Sequence, residues 1–401
     1  MMRILMISDV YFPRINGVST SIQTFSREFA AKGHHVTLIA PDYGQGDDPK
    51  DAMDIIRVPA RKVIVDPEDR MLKMKYVTKL IPELARQSFD ILHIQTPFVA
   101  HYAGLTLARR LNLPRIETYH TFFEEYLYNY IPFLPSSWLK FVARRFSCAQ
   151  CNDLDALVVP SVAMLDVLRC YGVRSDAAVI PTGIELADFK TGDGAAFRRQ
   201  YGIPAERSTL VHVGRIAHEK NIDFLLRMLV VVRQHIADVL LVIAGEGPAL
   251  KHLRKLAHTL QLEDNILFVG YLSRGSGLQD CYSAGDVFVF ASRTETQGLV
   301  LLEAMALGVP VVSTAVMGTQ DILLEGKGAR VAREEPGDFA DKVVSVLSNR
   351  QLRQTLSVEA RSYAQVWTAD LIADRMLAFY EERIMKYRAE SKAPCQAPAI
   401  G

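Results

Sequence analysis

Short runs of β-branched and aliphatic residues recur along the chain, each followed by a loop and then by apolar residues at helical spacing. In the first half the strand-type runs are 3–8, 35–40, 54–58, 89–94, 115–118, 156–159 and 178–180, and helical spacing marks 22–32, 71–86 and 104–111. After Pro181-Thr182-Gly183 the alternation restarts, with strands expected at 209–213, 239–244, 266–269, 286–290 and 309–312. Strand and helix in alternation predict parallel sheets covered by helices on both faces. Two such halves predict an α/β protein with two doubly wound, Rossmann-like domains facing across a cleft. The expected bounds are 1–180 and 181–370, with a polar helix over 371–388 packing back on the first domain and a disordered tail at 389–401.

The chain has 401 residues, which is ample for two cores. A net charge of +1 gives no electrostatic footing for a nucleic-acid partner. No stretch approaches the length of an apolar membrane span, and the first residues lack the apolar run of a signal peptide. Together with five scattered cysteines, this predicts a cytoplasmic protein in a reducing compartment. Cys148 and Cys151 form a CxxC without two further ligands at metal spacing, so they read as two small residues on one helix face. The Asp153-Leu154-Asp155 triplet precedes a buried strand rather than ending one, and Gly326-Lys327-Gly328 lacks the spacing of a phosphate loop. No metal site is expected.

The chemistry concentrates in TETQGLVLLEAMALGVPVVS, residues 294–313. A strand ends, Gly298 and Leu299 open a run of strong helix formers, and Gly308 stops it before the next strand. The unpaired N–H groups of a helix start attract phosphate. Glu295 and Glu303, eight residues apart, flank that start. Carboxylates beside a phosphate site make sense when the ligand also brings hydroxyls, because a carboxylate accepts hydrogen bonds from sugar diols. A phosphate flanked by two polyols describes a nucleotide sugar. The bland alternative makes Glu295 a solvated loop residue and Glu303 a member of a wet helix face. Against it, Glu303 has apolar neighbours on every side.

Gly214 and Arg215 end the strand at 209–213, and Glu219-Lys220-Asn221 opens the following helix. Arg215 and Lys220 thus share one loop where two cations can clamp a diphosphate. Alone they read equally as surface cations; beside the two glutamates the clamp is the better reading. Gly245, in Gly245-Glu246-Gly247-Pro248, ends another strand and permits close approach of a ligand. In the first half, Gly17 lies in the loop after the first strand, and His120 follows the strand at 115–118. Both are at strand carboxyl ends, where open α/β sheets bind ligands. A plain turn glycine and a structural histidine would look the same.

Taken together, VGRIAHEKN, VIAGEGP, the 294–313 block, the early PRINGVS and the linker VIPTGIELADF resemble the retaining glycosyltransferases of family four, which have the two-domain GT-B fold. The resemblance covers nearly the whole chain. It implies a nucleotide-diphosphate-sugar donor bound mainly by the second half and no cofactor; the base stays open, with a UDP-sugar favoured over a GDP-sugar. By that resemblance Glu303 holds the ribose hydroxyls, Glu295 the transferred sugar, and Arg215 and Lys220 the diphosphate. Gly17 closes on the donor and His120 stands near the anomeric centre. Configuration is retained by attack on the face that the phosphate leaves, and the phosphate takes the acceptor's proton.

Gln297 departs from the Phe that many members carry. Within the family, Thr-Glu-Thr-Gln-Gly and TYHTFFEEYLYNY look most like enzymes that glycosylate diacylglycerol or related lipids. Eight aromatics fall within 122–141 (Phe122, Phe123, Tyr126, Tyr128, Tyr130, Phe133, Trp138, Phe141), and Arg144 and Arg145 follow. Aromatics beside cations suit an anionic bilayer surface, and residues 61–145 carry 13 basic against 8 acidic side chains. The expected acceptor is therefore a glycerolipid hydroxyl at the inner face of the membrane. Competing expectations are a soluble or polyprenyl-linked sugar acceptor, a nucleotide-sugar epimerase or hydrolase of the same fold, and a silent binder.

Overall fold

The computed structural model describes residues 1–44, 52–63, 70–120, 122, 136–189, 191–273, 276–324 and 326–392. The chain divides into two units. Unit 1 takes Met1–Pro160, Leu165–Thr182 and the residues from Asp370; unit 2 takes Ser161–Met164 and Gly183–Ala369.

Unit 1 contributes β1 (Arg3–Ile7), β2 (His35–Pro41), β3 (Asp54–Val58), β4 (Ala60–Lys62), β5 (Arg70–Leu72), β6 (Ile91–Ile94), β7 (Arg115–Thr118), β8 (Ala156–Val159) and β9 (Asp176–Val179). Among the described residues, seven form a parallel sheet in the order β3-β2-β1-β6-β7-β8-β9, and β4 and β5 pair antiparallel. Ile4, Met6, Leu38, Ile91, Ile116 and Val158 supply one sheet face of a core to which the helices Gly17–Ala31 and Ala369–Lys392 add Phe25, Phe29, Ile372, Met376 and Tyr380.

Unit 2 contributes β10 (Thr209–Val213), β11 (Leu240–Ala244), β12 (Ile266–Gly270), β13 (Val287–Phe290), β14 (Val311–Ser313) and β15 (Ala329–Val331), in the order β12-β11-β10-β13-β14-β15. Its strands read as continuous apolar runs because both faces are covered. Alternate residues go to opposite cores: Val211, Phe288 and Phe290 to one, Leu210, Val287 and Val289 to the other. In each unit the strand order reverses beside its first strand, between β1 and β6 and between β10 and β13. Open sheets bind ligands at such a switch point, beyond the strands' carboxyl ends.

Several expectations are corrected. The helix expected over 71–86 is a strand, β5, followed by helices Met74–Lys79 and Ile81–Leu84. Pro82 has no N–H to continue the first helix, and Asp9 draws Leu72 away by accepting its N–H at 3.0 Å. The first helix begins at Gly17 rather than at 22, because the Asn16 side chain caps it by accepting from Ser19 N at 2.9 Å. The buried Ser19, Ser21 and Ser26 hide its apolar period. The last helix is longer than expected, Ala369–Lys392, so 389–392 are helical and only 393–401 of the proposed tail lie outside the described residues. It is amphipathic rather than polar, with Ile372, Ala373, Met376, Leu377, Tyr380 and Ile384 buried at helical spacing.

Candidate active site

In unit 2 the loops on either side of the switch point are tied together. After β10, Gly214 donates its N–H to Ala244 O at 3.0 Å, and the chain passes exposed Arg215 to a short 3-10 turn, His218–Lys220. Asn221 ends that turn in the left-handed region (φ 56°), which Asn adopts more readily than most residues. Its Nδ2 donates to Ala291 O and to Glu334 Oε1, both at 3.2 Å, and Arg293 Nε reaches both Glu334 oxygens at 2.9 and 3.0 Å. Lys220 is thereby delivered to Glu295, with Nζ 2.5 Å from Oε1. Only 22% of the Lys220 side chain and 17% of the Glu295 side chain are exposed. Burial works to raise the Glu295 carboxyl, but the Lys220 ammonium outweighs it and holds the group below its ordinary value.

Beyond Glu295, Gly298 sits at φ 98° and opens the helix Leu299–Ala306 without any side chain to cap it. That leaves the helix start, with Leu299 first, available to an anion. Glu303 is 5% exposed, and its Oε2 accepts from the Tyr282 hydroxyl at 2.7 Å. The wet-face alternative for Glu303 is thus excluded, and Tyr282 is the partner that a buried carboxylate requires. Gln297 is also buried, and Gly318 N donates to Glu295 O at 2.9 Å.

In unit 1, Gly17 is the first residue of its helix, and a Cβ built on it would meet nothing within 4 Å. His120 is partly buried, with Nε2 3.0 Å from Gln95 Oε1; burial lowers its pKa to about 4, so the imidazole is neutral. Gln95 follows β6, on the switch-point side of β7. His93 lies below, between Tyr380 OH (2.5 Å) and Thr118 Oγ1 (2.7 Å). Of the aromatic stretch, Phe123, Tyr126, Tyr128, Tyr130 and Phe133 lie outside the described residues. Trp138 and Phe141, one turn apart on the helix Ser136–Asn152, are 53% and 61% exposed, and Arg144 and Arg145 extend the same exposed surface.

Residues 15–188 match the family described as Glycosyltransferase Family 4, and residues 193–363 match Glycosyl transferases group 1. The alpha-monoglucosyldiacylglycerol synthase of Streptococcus pneumoniae is 36% identical over 324 residues, 78% of this chain and 71% of that one. The chain belongs to glycosyltransferase family 4. A synthase of the same description from Acholeplasma laidlawii is 25% identical over 96% of this chain and 98% of its own. The sucrose-phosphate synthase structure from Thermosynechococcus elongatus superposes with a TM-score of 0.76 at 21% identity, covering 96% of this chain and all of that one. The fold is GT-B, and the protein is a glycosyltransferase.

For this family 4 enzyme the structure joins Lys220 to Glu295, and holds Glu303, Gly298 and Leu299 on the neighbouring helix. Lys220 is paired with Glu295, and Arg215, earlier on the same loop, is exposed. Gly245 has a reason inside the chain itself, since a Cβ there would lie 1.9 Å from Gly214 O. Sequence reasoning missed Asn221, Tyr282, Arg293 and Glu334. Only Asn221 carried a signal, an Asn directly after a turn that leads into a helix; the others act across 21 to 113 residues of chain. Among the described residues no His, Cys, Asp or Glu cluster could hold a metal, and no helix is long and apolar enough to cross a membrane.

Proposed function

We propose that the enzyme transfers a hexose, with retention of anomeric configuration, from a nucleotide-diphosphate sugar to a glycerolipid hydroxyl such as that of diacylglycerol. The observation that carries this reading is the Lys220–Glu295 pair beside the uncapped helix start at Gly298: a cation and N–H groups for diphosphate, a carboxylate for sugar hydroxyls. A diphosphate drawing the ammonium toward itself leaves Glu295 a charged acceptor for the sugar. Glu303, already fixed by Tyr282, keeps acceptor capacity for a ribose diol. Arg215, exposed on the same loop, is the second cation assigned to the phosphates in this reading. Such preorganised charge at the leaving group typically contributes roughly 3 to 4 kcal/mol per donor to barrier lowering. His120 is neutral and can accept or donate beside the reacting carbon without adding charge.

The lipid acceptor is supported by the relatives' descriptions and by exposed Trp138 and Phe141 beside Arg144 and Arg145, the pairing of aromatic and cation that favours a bilayer interface. The donor is proposed to be UDP-glucose. The test offers UDP-glucose, UDP-galactose and GDP-mannose with anionic liposomes containing diacylglycerol or with soluble sugars. Turnover of UDP-glucose with liposomes alone is expected; turnover only with soluble acceptors overturns the lipid reading. Glu303→Ala is expected to raise the donor KM chiefly, and His120→Ala to lower kcat chiefly. Wild-type kinetics in both would reject the site.

A further inference from the structure

Two buried polar atoms at the carboxyl ends of β10 and β14, the strands on either side of β13 in the unit 2 sheet, have no hydrogen-bond partner: Nε2 of His212 and Oγ1 of Thr314. His212 is fully buried, and Thr314 is 2% exposed. Buried polar atoms are ordinarily paired, so two at one sheet end call for a cause. Their segments are knitted to Glu295: Thr314 N donates to Phe290 O at 3.3 Å, Thr319 Oγ1 to Thr314 O at 3.3 Å, and Gly318 N to Glu295 O at 2.9 Å. Between them, after β13, the Ser292 hydroxyl bonds the Glu295 carboxylate and favours its charge.

His212 is the more constrained of the two. Its Nδ1 lies 3.1 Å from Val289 O, a pure acceptor, so Nδ1 carries the hydrogen and Nε2 of the neutral ring presents a bare lone pair. Burial lowers its pKa to about 4, which keeps it neutral. The ring is held nearly parallel to Phe290 (5.6 Å, 19°) and Phe288 (6.4 Å, 9°), so the lone pair cannot swing elsewhere. It faces Gly214, where a Cβ would come within 3.9 Å of Nε2, at the head of the loop that carries Arg215 and Lys220. The nearby charges that act on the ring are Lys220 and Glu295. An acceptor and a hydroxyl, unmet beside a carboxylate, match a ligand bearing several hydroxyls.

We propose that His212 and Thr314 form the floor of the subsite for the transferred sugar, and that Nε2 of His212 accepts a hydrogen bond from one sugar hydroxyl. The proposal rests on the donor reading above and adds specificity to it. A donor lacking that hydroxyl leaves a buried lone pair unpaired, which is how polar sites reject deoxy analogues.

The experiment is a cycle of kcat/KM between the wild type and His212→Phe, a ring of similar stacking, with nucleotide hexoses each lacking one hydroxyl. In the wild type one deoxy donor is expected to lose roughly tenfold against its parent, and in His212→Phe the two are expected to differ by less than about twofold. An equal ratio in both proteins for every deoxy position overturns the proposal. A wild type that turns over no nucleotide hexose at all rejects the donor reading itself, and the floor with it. Melting temperature checks folding; if His212→Phe does not fold, Thr314→Val goes through the same cycle with the same two outcomes.

Discussion

Gly17, assigned to the donor by resemblance, and Gly245, read at a strand end as permitting close approach of a ligand, have opposite surroundings. A methyl at Gly17 enters open space at the first position of a helix, where Ala is a better helix former. Gly17→Ala should leave stability within about 0.5 kcal/mol of wild type, so a fall in turnover measured beside an unchanged melting temperature would locate a ligand there. A methyl at Gly245 meets the Gly214 carbonyl, and Gly245→Ala should cost upwards of about 2 kcal/mol in denaturant unfolding. The Lys220–Glu295 pair makes a third case. Lys220→Met strands a largely buried carboxylate, and unit 2 should lose about 2 kcal/mol, less whatever water reaches it. Because the folded Glu295 carboxyl lies below its unfolded value, the pair's contribution is full above the ordinary carboxylate range and is lost as pH falls through the depressed value. The stability of Glu295→Gln should lack that acid-side dependence.

At the level of elements, the two exposed aromatics on Ser136–Asn152 make a prediction that separates packing from function. Trp138→Ser with Phe141→Ser should change the melting temperature little, because both side chains are more than half exposed, while reducing co-sedimentation with anionic liposomes several-fold. Unchanged co-sedimentation would remove this helix from the membrane argument. The strands were legible because fully covered parallel strands are runs of Val, Ile and Leu, as in Thr209–Val213 and Ala156–Val159. What the sequence hid was of two kinds. Short pairs such as Ala60–Lys62 with Arg70–Leu72 carry too few residues for a period, and Asp9 holds the second of them from a distance of 63 residues. The last helix carries so many charges that its apolar stripe is diluted. Met376→Ala should expose that stripe's importance by costing unit 1 about 2–4 kcal/mol. The site was legible as residue types at strand ends; the pairings of Lys220 with Glu295 and Tyr282 with Glu303 were not, since they depend on which strands become neighbours.

Over the whole molecule, the buried titratable groups give stability a definite acid slope. His93 is pushed down to about 3, and His120 and His212 to about 4, each by burial. A histidine whose folded pKa is depressed binds its proton more readily in the unfolded chain. As pH falls from about 6.5, the ordinary histidine value, toward 4, all three therefore favour unfolding. Asp9 and Glu117 work the other way: burial raises Asp9 to about 6 and lifts Glu117 above its ordinary value, so the folded chain takes up their protons first and gains relative stability as pH falls through those values. Three histidines oppose two carboxyls, and the melting temperature should drop between pH 7 and pH 5. His93→Gln, which keeps polar contacts to Tyr380 and Thr118 without a group that titrates there, should flatten the part of this slope that belongs to unit 1. His212→Phe should flatten the part that belongs to unit 2. Melting curves of the three proteins across that range test the assignment, and parallel slopes in all of them would show that the acid sensitivity resides elsewhere in the chain.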